Sequence, residues 1–411
     1  MRFSKAGSSC LALLFLPFFT VFGAELTVPK LELVTRGTVI DEEFALSTTS
    51  ALDIALNGGY KYSVLLGLSL DAPNLGKAFA YKDFAVKYAD SGATVSGEEY
   101  NRLADRYNNQ AVFSLRVIKA IARDFFGAPL EFSFFTGRNT PFCSGDEFVS
   151  RWGIYNVGSD FTGYYYFPDG IGGNPLRRYD GLYSAQGTGI SLALTKSEFF
   201  IPAVYAYQDF PFLYNENNAQ TLYDKPRFSG DIRFLLNSDK FRADAFAGIS
   251  GEKGDDKEIR GGLLALFSAG LGTEFLLQFG VPGYKMGEDF NQDNLFVLLE
   301  PRMHFGYVSF YTTFFYHPLV YMHYSEEAER GRADINFKLL FGDAPESRLQ
   351  WGFDLMFGLK VTEPDSIYLK LGPFVGLRHD GLEWMFKFRL EPATDNFDNF
   401  FDIFMGIKTA F

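Results

Sequence analysis

Charged side chains at alternate positions are the residues of this sequence that could carry chemistry. In "LEWMFKFRLE", residues 382–391, Trp384 and Phe386 alternate with Glu383, Lys387 and Arg389. A period of two predicts an extended strand with one apolar face and one charged face. Acids and bases on facing walls of an enclosed space create a transverse field that orients polar solutes. The alternative is that these charges pair between neighbouring strands and only stabilise the wall.

Residues that bind metals or act as nucleophiles give no readable pattern. The chain has 4 histidines, and His317 and His323 lie six positions apart without an obvious third ligand. Cys143 is the only cysteine besides Cys10. No glycine-rich stretch precedes a helix as a phosphate loop requires, and no histidine lies with a serine or acid in a hydrolase pattern. We therefore expect no enzyme activity, no cofactor and no metal site.

The first residues have the features of an export signal. Arg2 and Lys5 precede the apolar run 11–22, and Gly23 and Ala24 offer a cleavage point, so residues 1–24 are predicted to be a signal peptide. Removing the two basic residues changes the net charge from -12 to -14. An acidic exported chain argues against a nucleic-acid partner. The rest of the chain has no uncharged run of 18 residues, so no helical membrane span is predicted.

The alternation recurs along the whole remaining chain and predicts eighteen strands. These are 25–36, 46–57, 60–70, 111–124, 128–137, 182–194, 199–210, 224–237, 240–250, 257–269, 272–282, 293–304, 306–317, 331–342, 347–361, 366–378, 381–391 and 398–411. Strands of soluble proteins usually have about 5 or 6 residues, whereas a tilted strand needs roughly 9–11 to cross a bilayer. The apolar faces of the clearest strands carry no charge, and a lipid-facing Lys or Arg at mid-bilayer would cost roughly 2–4 kcal/mol.

The connections between these strands alternate between short and long. Tight joins such as 58–59, 238–239 and 379–380 alternate with longer ones, up to 71–110 and 138–181, and residues 98–109 are predicted to form a short loop helix. This alternation is typical of an up-and-down transmembrane barrel with an even number of strands. We therefore predict an all-β, antiparallel barrel of about 18 strands, with a range of 16 to 20, as a single domain over 25–411. The alternative is a large soluble β-sandwich with an apolar core.

The last residues add a resemblance. "FDIFMGIKTAF" places Met405, Ile407 and Phe411 on one face, with Thr409 where a bulkier residue is commoner. This resembles the terminal signature of bacterial outer-membrane β-barrels, which end in an aromatic residue. The resemblance implies an outer-membrane location, contact with outer-membrane lipid, short periplasmic turns and long extracellular loops. It also implies recognition of this strand by the barrel assembly machinery, and it allows a homo-oligomer.

In such a barrel the charged faces point into the lumen. The predicted lumen-lining residues are Asp231, Arg233, Arg242, Asp244, Arg260, Glu274, Glu300, Arg302, Asp334, Lys338, Arg348, Asp354, Lys360, Lys370, Arg378, Glu383, Lys387, Arg389, Asp402 and Lys408. In the loop "DFTGYYYFPDGIGGNPLRRYDGLY", aromatic residues beside charged ones suit polar solutes, although the loop could also pack on its own aromatics. Its predicted solute contacts are Tyr164, Tyr165, Tyr166, Asp169, Arg177, Arg178 and Asp180.

These features favour a porin-like channel for passive diffusion of small polar solutes through a loop-narrowed, mixed-charge lumen. Two alternatives remain open. One is a gated transporter of hydrophobic molecules such as fatty acids, and the other is a surface adhesin or structural barrel whose loops do the work.

Overall fold

The fold is described from a computed structural model of the chain. The structure describes residues 25–40, 43–75, 111–166, 179–209, 212–214, 220–222, 227–251, 257–317, 332–343, 347–360, 367–392 and 400–409. The predicted signal peptide, the predicted helix at 98–109 and Phe411 lie outside these ranges.

Long strands account for most of the described residues. They are β1 (Glu25–Ile40), β2 (Glu43–Gly58), β3 (Tyr62–Ala72), β4 (Val112–Ala122), β5 (Leu130–Phe142), β6 (Tyr183–Leu194), β7 (Phe200–Asp209), β8 (Phe212–Tyr214), β9 (Gln220–Leu222), β10 (Phe228–Asn237), β11 (Phe241–Gly251), β12 (Glu258–Gly270), β13 (Thr273–Lys285), β14 (Phe296–Phe305), β15 (Val308–His317), β16 (Arg332–Phe341), β17 (Leu349–Lys360), β18 (Ile367–His379), β19 (Leu382–Leu390) and β20 (Phe401–Thr409). One α-helix, α1 (Asp146–Trp152), lies between β5 and β6, and 3₁₀ turns occupy Phe125–Gly127 and Gln292–Asn294.

Eighteen of the strands form one closed antiparallel barrel. Consecutive strands pair with each other, and β7 pairs with β10, so the short hairpin β8–β9 stands outside the wall. Strand β1 pairs with β20 over Glu32–Gly37 and closes the ring. The predicted all-β barrel and its strand number are confirmed.

The two ends of the barrel differ in their connections. Joins such as 380–381, 306–307 and 271–272 contain two residues, and they all lie at one end, which we call the short-turn end. The β3–β4, β5–β6 and β7–β10 connections lie at the opposite, long-loop end. Strand β1 begins and β20 ends at the short-turn end. The predicted alternation of short and long connections is confirmed, except that only residues 41–42 separate β1 from β2 at the long-loop end, where a longer connection was predicted.

The outer face of the barrel is apolar and the inner face is charged. On β19, Phe386 and Phe388 are 37% and 39% exposed, whereas Lys387 between them is 5% exposed. Asp354 on β17 is equally buried. Near the short-turn end, Trp351 is exposed and stacks on Phe341 with 4.1 Å between ring centroids. The soluble sandwich, which would bury these rings together, is excluded.

A β-bulge in β4 directs one charged side chain inward. Gly67 on β3 pairs with Val117 and Leu68 pairs with Leu115, so Arg116 is the extra residue. Gly137 faces the bulge with φ +105°, and a Cβ there would collide with the Arg116 carbonyl oxygen. A bulge re-aims the side chain that it carries, and the Arg116 guanidinium accordingly contacts the carboxylate of Asp53 on β2.

Among the described residues, no helix is long and apolar enough to cross a membrane.

Candidate functional site in the barrel interior

The β5–β6 connection folds into the barrel rather than over its mouth. We call residues 143–166 and 179–182 the inner segment. The chain is already in the interior at the end of β5, where the Phe142 ring lies 4.9 Å from Tyr205 and 5.2 Å from Phe246. Cys143 and Gly145, which follow, have positive φ. The Cys143 amide then donates to Asp244 Oδ2 on β11 at 2.6 Å. Asp244 lies three residues from the short-turn end of its strand, so the segment descends deep into the interior.

Apolar side chains of the inner segment pack against one side of the wall. The Tyr179 ring lies 5.6 Å from Phe296 and 5.5 Å from Phe315, and its hydroxyl bonds to Gln278. Phe148 on α1 is fully buried in the same cluster. The wall residues of this cluster belong to β5–β7 and β10–β15. Protein therefore fills that side of the interior.

Buried charges fix the inner segment in place. Arg233 on β10 pairs with Asp244 at 2.6 Å and reaches Glu147 on α1 at 3.5 Å. Arg302 on β14 pairs with Glu300 at 2.8 Å and donates to the Gly158 carbonyl at 2.6 Å. Burial would raise the pKa of Glu147, but Arg151 and Arg233 lower it to about 2. The segment is thus held by charge-assisted hydrogen bonds, which are among the strongest in proteins.

A second anchor joins Asp160 to β16, the strand next to β15. The Lys338 ammonium on β16 lies 3.0 Å and 2.9 Å from the two carboxylate oxygens of Asp160 and also contacts the Tyr166 hydroxyl. Burial alone would raise the pKa of Asp160, but the positive charge of Lys338 brings the pKa below its ordinary value.

The three predicted contact tyrosines lie inside the barrel and are buried. The Tyr164 amide donates to Glu32 on β1 at 2.8 Å, the Tyr165 ring lies 5.1 Å from the Lys408 ammonium, and Tyr166 stacks on Phe161. Asp180 pairs with Arg138 at 3.3 Å. Contact of these side chains with a solute stays a prediction, and Asp169, Arg177 and Arg178 lie outside the described residues.

Most of the predicted lumen residues lie on the inner face and are paired. The ion pairs are Arg260–Asp231, Arg233–Asp244, Arg302–Glu300, Arg302–Glu274, Lys387–Asp354, Arg389–Asp402, Lys370–Glu391, Arg378–Glu383 and Lys408–Glu383. Asp334 is buried on β16, Arg242 donates to Asn237, and Arg348 is exposed at the short-turn end. The side chain of Lys360 is outside the described part of the structure.

Two of these pairs span an intervening strand. Arg260 reaches Asp231 across Gly248, and Lys387 reaches Asp354 across Gly372. A Cβ at Gly248 would collide with the Asp231 carboxylate. These ion pairs therefore connect strands that are not direct neighbours and stabilise the barrel wall.

A group of charged side chains that the lumen prediction did not include faces the N-terminal end of α1. Asp146 is exposed to water although it belongs to a helix enclosed by the wall. The charges of Lys30 on β1, Asp53 on β2, Arg116 on β4 and Asp180 all act on it. Although Asp146 has water at its surface, the surrounding protein displaces part of its hydration shell and thereby raises its pKa, and the charge of Lys30 opposes this shift. We call these five residues, with Arg138, the mixed-charge cluster.

The sequence signal for this cluster was weak. Arg116 points inward only because of the bulge, and Asp146 lies in a connection without periodicity. The wall on this side belongs to β1, β2, β4 and β5. A second, smaller apolar cluster joins Tyr164, Tyr165 and Tyr166 of the inner segment to Val34 on β1, Ala51 on β2 and Phe404 on β20.

A serine, a histidine and an aspartate also meet at the short-turn end. His304 Nδ1 lies 2.8 Å from Ser309 Oγ and 3.1 Å from Asp343 Oδ2, and Ser309 donates to Asp343. A nucleophile relay needs the hydroxyl to donate to one ring nitrogen while an acid contacts the other. Glu274 Oε2 does lie 3.7 Å from His304 Nε2, but the Ser309 hydroxyl donates to Asp343 and not to the ring. In this geometry His304 does not accept the Ser309 proton. Among the described residues, no group of three His, Cys, Asp or Glu side chains is placed to hold a metal ion.

Comparisons with solved structures define the class of fold. The chain is similar to Acinetobacter baumannii OccAB2, with a TM-score of 0.52 and 10% identity over 94% of this chain and 97% of that chain. It is similar to Acinetobacter baumannii OccAB3, with a TM-score of 0.51 and 12% identity over 94% and 98%. For Pseudomonas aeruginosa OccK8 (OprE) the TM-score is 0.50, with 9% identity over 94% and 97%.

The protein therefore has the fold of bacterial outer-membrane β-barrels. At these identities the likeness concerns the fold alone. No protein-family model matches the sequence, and no curated relative matches it.

Proposed function

We propose that this protein is a porin-like channel through which small polar solutes diffuse passively across the outer membrane. The observation that carries the proposal is that Asp146, inside a closed barrel, is exposed to water and faces charges from several strands of the wall. An apolar outer face suits contact with lipid, and a charged inner face suits water.

The width of the barrel supports a channel. Eight strands enclose a space that side chains can fill, whereas 16–18 strands leave an aqueous lumen. The inner segment narrows this lumen because it packs against β5–β7 and β10–β15 and, through Tyr164, Tyr165 and Tyr166, against β1, β2 and β20. The proposed route passes between α1 and strands β1, β2 and β4.

The mixed-charge cluster would then be the narrowest polar part of this route. Asp146 and Asp180 stand on the inner segment, while Lys30, Arg116 and Arg138 stand on the wall. Such an arrangement offers hydrogen-bonding partners of both signs to a solute that loses part of its hydration shell. The buried pairs elsewhere on the inner face hold the wall and the inner segment in position.

Planar-bilayer conductance tests this proposal. The chain from residue 25 onward, refolded and inserted, is expected to give a steady ohmic current. In a salt gradient, Asp146→Lys should shift the reversal potential in the direction of greater anion selectivity. Asp146→Asn should shift it in the same direction by a smaller amount. Glu288→Gln is the matched control because Glu288 is an exposed carboxylate at the long-loop end, and it should leave the reversal potential unchanged.

The alternatives predict different results. Absence of current together with saturable fatty-acid binding would overturn the channel in favour of a gated transporter. Absence of current together with loop-dependent binding to a surface or matrix would overturn it in favour of an adhesin.

A further inference from the structure

Two short turns hold a large apolar side chain at their tip in a left-handed backbone conformation. Leu271, between β12 and β13, has φ +53°, and Phe126, between β4 and β5, has φ +54°. Their side chains are 103% and 93% exposed. The left-handed conformation of a residue with a Cβ lowers the folded-to-unfolded ratio by about fivefold to thirtyfold. Neither turn gains packing inside the protein in return.

A turn of the same loop length in this chain shows what the two loop positions require, although Gly270 before Leu271 also has positive φ (+84°) and His379 before Asp380 does not. Leu271 and Gly272 have φ +53° and +75°, and Asp380 and Gly381, between β18 and β19, have φ +49° and +79°. Both are two-residue hairpin loops with positive φ at both positions, as type I′ turns require, and this type favours Asn or Asp followed by Gly. Asp380 meets that preference and Leu271 does not. The conformation of the turn therefore does not explain why a leucine occupies position 271.

Both tips continue the apolar surface of the barrel. The Phe126 ring lies 4.3 Å from Phe125, which stacks at 4.9 Å on Phe132 of the outer face of β5. Beside the Leu271 turn, the exposed Phe267 ring on the outer face of β12 lies 4.9 Å from Phe241. At the Phe126 turn, apolar rings thus run from the lipid-facing band to the tip, and the Leu271 turn lies beside two such rings.

We propose that Leu271 and Phe126 lie in the headgroup–acyl boundary of the membrane leaflet at the short-turn end. The exposed Tyr60 and Tyr307, on two other short turns, belong to the same layer, since amphipathic rings are favoured at that depth. The polar turn around Asp380 extends into water instead. This inference depends on the barrel spanning a membrane and not on its being a channel.

Depth-dependent quenching tests the proposal. Leu271→Cys and Asp380→Cys are labelled with an environment-sensitive fluorophore and inserted into phosphatidylcholine vesicles with brominated acyl chains. Cys143 is buried, so the folded parent should take up no label. The Leu271 label should be quenched several-fold more strongly than the Asp380 label, and equal quenching overturns the proposal. A Leu271 label that is shielded from iodide in water but not quenched by the lipid would indicate a bound protein and would also overturn it.

The stability of a turn variant gives an independent test, because a turn tip in lipid and a turn tip in water predict changes in stability of opposite sign. If the tip stood in water, Leu271→Asn would relieve the backbone and raise the folded-to-unfolded ratio in vesicles by about fivefold or more. We expect the ratio to fall, because contact with lipid is lost. Asp380→Asn is the matched control and should leave the ratio nearly unchanged, and a rise for Leu271→Asn overturns the proposal.

Discussion

The anchor between Lys338 and Asp160 makes the sharpest quantitative prediction. Lys338→Met removes the ammonium but keeps most of the side chain. Two charge-assisted hydrogen bonds of 2.9 and 3.0 Å are lost, and each such bond contributes roughly 1.5–3 kcal/mol. Removing one partner of a fully buried ion pair costs about 3–5 kcal/mol, but the Asp160 side chain is 22% exposed and also accepts a hydrogen bond from Tyr166. Water and this hydroxyl compensate part of its charge, so we expect a loss of about 1.5–3 kcal/mol in the free energy of unfolding.

The double variant separates the lost bond from the stranded charge. Asp160→Asn in the Lys338→Met background removes the partly compensated carboxylate, so the double variant should be more stable than Lys338→Met alone. The interaction energy from the double-mutant cycle should exceed about 1.5 kcal/mol, within the range for directly contacting groups.

Urea unfolding of the barrel in vesicles measures these free energies. Single-channel recording reports how firmly the inner segment is held, through the size of the current fluctuations. Lys338→Met should increase current fluctuations because one end of the segment is released. Lys285→Met removes an ion pair whose side chains are 60% and 63% exposed and serves as the control, with an expected loss below about 1 kcal/mol. A loss below about 1 kcal/mol for Lys338→Met, or additive effects in the cycle, would refute the reasoning.

Three further predictions concern the inner segment and its contacts. Gly406→Ala places a Cβ against the Tyr165 ring and should cost about 1–3 kcal/mol by overpacking, measured in urea, whereas Gly230→Ala on the open outer face should cost less. The Cys143 thiol, whose pKa is raised by burial, should react with a maleimide only as urea unfolds the barrel, and rapid labelling of the folded protein would contradict its burial. Glu147 has a folded pKa of about 2, below about 4.3 for an unperturbed Glu, so its stabilisation is fully present above about pH 4.3 and is lost as the pH falls toward 2. Glu147→Gln should remove this part of the pH dependence of the urea midpoint.

The strands and their orientation were predictable because the signal is local. A residue such as Lys387 between Phe386 and Phe388 reveals its face from its immediate neighbours. Each strand needs the same arrangement of a lipid face and a water face, so the pattern repeats in strand after strand. The alternation of short and long connections then determined the topology.

The inner segment was not predictable because its contacts are remote in sequence. Cys143 bonds to Asp244, 101 residues later, and Tyr164 bonds to Glu32, 132 residues earlier. The segment has no periodicity that distinguishes an inward path from a path over the mouth. Arg116 was missed for a related reason, since one extra residue in β4 reverses the face that simple alternation assigns.

The partners of the inner segment impose an order of events on folding. It leaves the wall after β5, yet Glu32 belongs to β1, Lys338 to β16 and Lys408 to β20, so its binding surface is complete only when the last strand has joined the first. Docking of the segment can therefore be complete only after the ring has closed. The way in which the segment fills the interior is thus fixed after the wall itself has formed.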